Sequence, residues 1–369
     1  MLSGIHFSML TGLPPEPVPR EIADSFLSAQ IKQTTKGRSG FSLTFAFGKT
    51  SGARRRFEKG WFDPPRRMVL TAMVNGKSQV LIDGVITRHE VASSNEPGQS
   101  RLVVVGEDLS RLIDLIDFSW IFKYPAMPAE ARVAIILAKY LPLGMVPIIL
   151  PSVNVDIPIP TSRIPSHYGT DLQYITHLAQ SVGYTFFVEP GLVPGQSFSY
   201  WGPEFTLSPP QPPLIVNSDA SSNVDNLTLS FDGFSKTLYL MLIRDEKLPV
   251  PIPIAIPDVN PLSPPLGLRP PVPLRVEPLR GISHYNPAQA VMIGLSKAAR
   301  AAEAITGSGA LNVTRYGQPL RPRRLVEVKG AGYPHDGLHF VRSVTHDIKP
   351  GEYKQSFTLA RNAFEPFPN

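Results

Sequence analysis

The sequence predicts an α+β protein that is mainly β, with two β units, an α/β unit between them and a proline-rich, partly helical insertion. Three observations carry this. The closing segment, Leu338-His-Phe-Val-Arg-Ser-Val-Thr-His-Asp-Ile348 followed by Tyr353-Lys-Gln-Ser-Phe-Thr-Leu-Ala-Arg361, is rich in β-branched and aromatic residues around Pro350-Gly351, the pattern of an antiparallel hairpin. A weaker copy lies near the start: Val80 to Val91 runs into the polar turn Ala92–Gln99 and returns through Ser100-Arg-Leu-Val-Val-Val105. Helical periodicity is confined to three segments, and the 40 prolines cluster outside them.

Taken in order, residues 1–20 are proline-rich and predict an extended arm. Strand patterns follow at Ile22–Ile31, at Gly40–Phe47 with strict alternation, and at Arg67–Val74. Turns fall at Gly48–Gly52 and at Asn75-Gly76, a hairpin signal. Five or six short strands at this spacing predict a small barrel or sandwich over about 20–112. Pro128–Tyr140 has helical spacing, with Val133, Ile136, Leu137 and Tyr140 on one face. A second helix is capped by Thr170, buries Leu172, Ile175, Leu178, Ala179 and Val182, and stops at Gly183. Tyr184–Val188 and Ser197–Trp201 then read as strands.

Asn223–Phe231 and Lys236–Ile243 read as a hairpin about Asp232-Gly233. Eleven prolines between Pro249 and Pro278 exclude an interior strand or helix and predict polyproline-like or turn conformations. Ala288–Ile305 restores a helix, with Gly307-Ser-Gly309 as its stop, and strands resume at Ala310–Tyr316 and Arg324–Lys329. The expected organisation is 1–112, arm and first β unit; 113–206, α/β domain; 207–248, first part of the second β unit; 249–307, proline-rich segment and helix; 308–369, the remainder and C-terminal tail. Aligning Thr87–Val91 with Val344–Ile348 matches a His-acid-aliphatic strand end in both hairpins, and Ser100 and Ser356 open both return strands. This suggests duplication.

Composition bounds the chemistry. There is no cysteine, which excludes disulfides and thiolate metal sites. No secretory leader is evident and no apolar run reaches 18 residues; the longest, Val133–Leu150, is broken by Lys139, Pro142, Gly144 and Pro147. A net charge of +6 permits polyanion contact, but the basic runs Arg54–Arg56, Arg66-Arg67 and Arg321–Arg324 are short, so no nucleic acid and no stable membrane insertion are expected. No zinc-protease, Walker, nucleophile-elbow or dinucleotide motif occurs. His335-Asp336 and His346-Asp347 are the nearest approach to acid/base or metal pairs, and strand neighbours point to opposite faces. Glu107, Asp108, Asp114 and Asp117 could supply paired carboxyls, though acids at a domain junction usually cap. The sequons at Asn226 and Asn312 fall on predicted strands. No catalytic, cofactor-binding or metal residue is assigned, no cofactor is expected, and the chain is read as a non-enzyme.

Laid out this way, the chain resembles the baseplate hub proteins of contractile phage tails, the late control gene D family, which correspond to the N-terminal part of VgrG spikes. The matching motifs are Leu81-Ile-Asp-Gly-Val-Ile86, Val105-Gly-Glu-Asp-Leu-Ser110, His167-Tyr-Gly-Thr-Asp-Leu-Gln173 with Leu178-Ala-Gln-Ser-Val-Gly-Tyr184, Tyr200-Trp-Gly-Pro203, and Val341-Arg-Ser-Val-Thr-His346 with Gly351-Glu-Tyr-Lys-Gln355. The resemblance implies that both β units are tube-like β-barrels and that the protein is a homotrimer. Six barrels would then dock under a hexameric inner tube protein while the trimer holds a trimeric spike protein, and baseplate wedge or adaptor proteins would surround it. It also implies synthesis in the bacterial cytoplasm, assembly into a phage tail or phage-tail-like particle, and a spike on a separate chain. A tail-associated cell-wall hydrolase and a polyanion-binding protein are the alternatives. The proline segment has no place in the family pattern. On the closing hairpin, Phe340, Val344, Phe357 and Leu359 are expected on the inner wall, with Arg342, His346, Lys354 and Ser356 on a tolerant polar face.

Overall fold

A computed structural model describes residues 4–96, 98–152, 161, 164–205, 208–243, 252–257, 264–282 and 287–367. The first β unit contains β1 (Ile5–Thr11), the short β2 (Glu16–Pro17), α1 (Arg20–Ala23), β3 (Phe26–Thr34), β4 (Gly40–Ala46), α2 (Gly52–Phe57), β5 (Arg67–Val74), β6 (Lys77–Ala92) and β7 (Arg101–Asp108). Asn75 and Gly76 both take positive φ, 50° and 78°, the backbone a two-residue hairpin needs to match strand twist, so β5 turns directly into β6. The proline-rich start is not a free arm: β1 pairs along its whole length with β5, and the last two residues of α1, Ile22 and Ala23, occupy the start of the predicted Ile22–Ile31 strand.

After α3 (Ser110–Ile113), the α/β domain comprises α4 (Ala129–Ala138), β8 (Met145–Ile149), α5 (Asp171–Ser181), β9 (Thr185–Pro190) and β10 (Ser197–Gly202). Thr170 forms a full capping box with Gln173, each side chain bonding the other's backbone N–H. Ile175, Leu178 and Ala179 of α5 pack with Val133, Ile136 and Leu137 of α4 over Val188 and Trp201. Sequence reasoning missed β8, the tail of a broken apolar run; Gly144, at φ 78°, ends the helical turn and lets the chain enter the sheet order β8-β10-β9.

The second β unit begins with β11 (Gln211–Ile215) and β12 (Asn226–Phe231). An insertion follows, with β13 (Thr237–Ile243), β14 (Ile252–Ile256), β15 (Arg275–Pro278) and α6 (Pro287–Ala301). The unit resumes with β16 (Ile305–Asn312), α7 (Val313–Tyr316), β17 (Leu325–Lys329), β18 (Gly337–Lys349) and β19 (Glu352–Arg361). The predicted hairpin between Asn223–Phe231 and Lys236–Ile243 does not form. β12 pairs with β16, while β13 is the central strand of a separate sheet, β14-β13-β15. The reason is visible in the side chains: β12 alternates Leu227 and Leu229 with Thr228 and Ser230, suited to one buried face, whereas Leu-Tyr-Leu-Met-Leu of β13 is apolar on both. Within the proline-rich segment Ile252–Ile256 and Arg275–Pro278 are strands, both at the edges of their sheet where a missing N–H is tolerated, while 264–274 is irregular apart from an isolated bridge of Arg269 to Phe364.

Gly307 and Gly309 do not stop a helix. They lie inside β16, because a Cβ on Gly309 would sit 2.5 Å from the Asn226 carbonyl oxygen and 2.7 Å from the Phe357 ring. α6 ends at Ala301 instead. The predicted Ala310–Tyr316 strand breaks at Asn312, whose side chain accepts the Thr314 N–H and caps α7.

All strands of both β units belong to one 13-stranded sheet, joined where β3 pairs antiparallel with β18. Leaving aside β2, the spatial order is β1-β5-β6-β7-β4-β3 in the first unit and β11-β17-β18-β19-β16-β12 in the second. Both read first, fourth, fifth, sixth, third, second strand, with a short helix, α2 or α7, at the same place between third and fourth. The one difference in direction is that β1 runs antiparallel to β5, while β11 runs parallel to β17. Bulges after Ile86 and after Val341 align Arg88 with Ser343. That is two residues from the alignment suggested by sequence and keeps every side chain on its face. The insertion falls between β12 and β16, where the first unit has only the turn between β3 and β4.

The same bulge corrects the face assignment of the last hairpin. Val341, Val344, Phe357 and Leu359 share the main core, but Phe340 packs on the other side with Leu266 and Leu325. Lys354 and Ser356 are exposed as expected; His346 is completely buried.

Candidate assembly surfaces

Residues that could have carried chemistry are used to hold the chain together. His346 lies where β3, β18 and β19 meet. Gln33 donates its amide to the Leu81 carbonyl oxygen, which turns its Oε1 toward His346 Nε2 at 2.9 Å, so Nε2 carries the proton. His346 Nδ1 then accepts from the Tyr353 hydroxyl at 2.6 Å and from Gln355 Nε2 at 3.2 Å. Gln355 also accepts from Leu320 N–H and donates to its carbonyl oxygen. Burial pushes the His346 pKa down to about 3, keeping the ring neutral, the form this network satisfies. Asp347 points to the opposite face, where Gln30 bonds it at 2.9 Å.

His335 and Asp336 sit in a turn whose Asp336 carboxylate accepts the Ala331 N–H. Asp108 accepts the N–H groups of Ser39 and Ser110, and burial raises its pKa against those bonds. Asp114 is desolvated, yet its pKa falls because Thr170 and Arg38 donate to it. Glu107 pairs with Arg38, and Asp117 accepts the Ser119 N–H. The carboxylates are thus separate caps and ion-pair partners. Among the described residues no group of three or more His, Asp and Glu is placed to hold a metal, and no helix is long and apolar enough to cross a membrane.

The basic runs are also engaged internally. Arg54 pairs with Glu58, Arg56 with Glu21, and Arg66 stacks over Trp61. Arg67 forms a two-pronged bond to buried Asp83 and reaches the Gly195 carbonyl, while Ser197 bonds the same carboxylate, so this pair ties the first β unit to the α/β domain. Arg342 is not on a tolerant face: it pairs with Glu204 of the α/β domain and with Glu303 at the end of the insertion. Arg323, at a left-handed φ of 59°, lies 3.8 Å over the Phe187 ring and donates to the Thr34 carbonyl. Arg323, Phe187 and Glu204, with Arg300 of α6, wall a cleft of about 480 Å³ where first unit, α/β domain and insertion meet.

Sequence reasoning did not find the polar cluster of the α/β domain. Tyr124 OH lies 3.0 Å from His167 Nδ1, and Asp171 accepts Tyr140 OH at 2.7 Å beside Lys139 Nζ at 2.5 Å. Burial lowers the His167 pKa and raises that of Tyr124 to about 12. The cluster lies beneath the segment 117–124, which is laced to 165–170 by backbone bonds from Phe118, Trp120, Tyr124 and His167. Lys139 also stacks under Phe118. The scaffold holds Leu115, Ile116, Ile121 and Trp120, the last 77% exposed, outward in one run. The only hint in the sequence is the His167–Gln173 motif.

A second apolar surface is the sheet of the insertion. α6 covers one face through Met241, Ile256, Leu279, Ala290 and Ala298. Register places Leu240, Leu242, Pro253, Ala255 and Val276 on the other face; among the described strand residues this face carries no charged side chain, and Leu242 and Val276 are about half exposed. Exposed apolar clusters of this kind mark protein contacts.

No family model and no curated protein matches the sequence. Among solved structures, the chain is similar to the tail protein from Neisseria meningitidis MC58, at 15% identity and TM-score 0.63, covering 97% of each chain. It is similar to the 43 kDa tail protein of prophage MuSo2 from Shewanella oneidensis, at 12% identity and TM-score 0.64, covering 98% of this chain and 100% of that one. A third likeness is to an E. coli component of the type VI secretion system, at 13% identity and TM-score 0.54, over 93% of this chain and 76% of that one. At these identities the likeness establishes fold: the chain has the fold of phage tail and type VI secretion tail-like proteins.

Proposed function

We propose that this protein is the structural hub of a contractile phage tail or related injection machine, a homotrimeric adaptor between a hexameric inner tube and a trimeric spike. The observation that carries the proposal is the repeated strand order. One chain holds two β units of the same topology, so three copies present six equivalent units on one side while offering three-fold symmetry on the other. In this reading each unit is a tube-like barrel, the first near 4–112 and the second formed by 208–231 with 304–362. The α/β domain spans 113–206 and the insertion 232–303. The exposed Trp120 run and the apolar outer face of the insertion sheet are contact surfaces for the spike or for wedge and adaptor proteins. Engagement of the His, acid and Arg side chains in internal bonds supports a non-catalytic role.

Light scattering on protein coexpressed with its spike tests this. The expected hub contribution is three times the 40.5 kDa chain mass; a single chain or six chains in that complex would refute the adaptor.

A further inference from the structure

The junction inside the chain is a template for a junction between chains. One edge of β18 serves two partners: Gly337–Phe340 pair with β17, and Ser343–Ile348 pair with β3, while β19 takes the opposite edge. β6 is the equivalent strand of the first unit. Its Lys77–Val85 stretch pairs with β5 and its later stretch with β7 on the opposite edge. Among the described residues, nothing pairs with the β5-side edge of Thr87–Ala92, the place β3 fills on β18. β12, the equivalent of β3, pairs with β16 as β3 pairs with β4, and its other edge has no strand partner among the described residues.

The two vacant edges match residue by residue. Ile31 lies opposite Phe41, which lies opposite Gly106; in the second unit Leu229 lies opposite Gly307, which lies opposite Leu359. Leu229 therefore corresponds to Ile31, Leu227 to Ala29 and Phe231 to Gln33. The aligned bulges make His89 the equivalent of Val344 and Val91 the equivalent of His346. Inside the chain, Ile31 faces His346 and Gln33 faces Val344.

Resting on the trimeric reading above, we propose that β12 of one copy adds antiparallel to the Thr87–Ala92 edge of β6 in the next, with Leu229 opposite Val91 and Phe231 opposite His89. Burial supports the assignment. Ala29 and Ile31 are 2% and 0% exposed in the filled junction, while Leu227 and Leu229 are only half-buried and Phe231 is 45% exposed. On the opposite face this register sets Thr228 against Ala92 and Ser230 against Glu90, with no like charges opposed. An open strand edge backed by apolar side chains is a template for another strand. The two edges are different patches, so the contact is head-to-tail and closes only as a ring.

The natural lack of cysteine makes the test clean. Residues directly opposite in an antiparallel pair have Cα atoms about 4.5–5.5 Å apart, within disulfide range. Leu229→Cys with Val91→Cys, and separately Phe231→Cys with His89→Cys, should oxidise to a covalent trimer on a non-reducing gel in the spike complex. Leu229→Cys with Thr87→Cys, four residues out of register, should not. Trimers by light scattering that neither matched pair cross-links would overturn the edge assignment and leave the hub reading standing. Protein that stays monomeric with the spike would overturn both.

Discussion

Replacing His346 by Leu probes the seam between the two β units. The substitution strands the Tyr353 hydroxyl and the Gln33 carbonyl oxygen, both buried, without touching the Gln355–Leu320 bonds. Each stranded group costs about 1–3 kcal/mol, so the variant should lose about 2–6 kcal/mol at pH 7.5. The network also has a pH signature. A folded-state pKa near 3 against 6.5 in the unfolded chain means the unfolded state binds the extra proton, so stability is full above pH 6.5 and falls as pH drops toward 3. Between pH 6.5 and 4 this one group removes about 3 kcal/mol from the wild type. His346→Leu should lack that part of the acid sensitivity; the part due to His339, likewise buried with a pKa near 3, should persist. Urea unfolding at pH 7.5, 6, 5 and 4 provides the comparison. Adding Tyr353→Phe should recover part of the loss, since the hydroxyl is then no longer stranded, whereas Gln33 must be kept because its amide also bonds the Leu81 carbonyl oxygen. A His346→Leu protein with wild-type stability at pH 7.5 and a wild-type acid slope would refute the account of this seam.

Two further expectations concern the core. Phe357→Ala should cost about 3–5 kcal/mol, toward the upper end because the facing residue is Gly309 and cannot fill the space, while Lys354→Ala should stay within about 0.5 kcal/mol; thermal unfolding of both decides. In the first unit a Cβ on Gly106 would lie 2.1 Å from the Phe41 ring, and the second unit exchanges the large and small partners, Gly307 against Leu359. Gly106→Leu should therefore be strongly destabilising alone and only partly rescued by Phe41→Gly, because the Val85 carbonyl oxygen, 2.5 Å from the added Cβ, remains; a double-mutant cycle measures the coupling, and strict additivity would argue against the equivalence of the two pairs.

The sequence by itself determined what neighbouring residues decide. Alternation marked β4 and the last hairpin, Asn75-Gly76 the turn between β5 and β6, and Thr170 the start of α5, while the likeness of the two hairpins suggested duplication with an alignment that the strand pairing shifts by two residues. All of these depend on a few successive residues competing only with water and their own backbone. Tertiary structure decided the rest, because the deciding partner lies far along the chain. Gly307 and Gly309 look like a helix stop until Phe357 and Leu229 claim the space beside them. β12 forgoes the nearby β13 for β16, where Gly307 leaves the space that Leu229 fills. One bulge at Arg342 moves Phe340 to the other face, a shift of one residue that a period of two cannot foresee. His346 reads as a surface histidine until Gln33, 313 residues away, supplies its acceptor. Local pattern fixes which segments are strands; the packing of distant side chains fixes which strands meet.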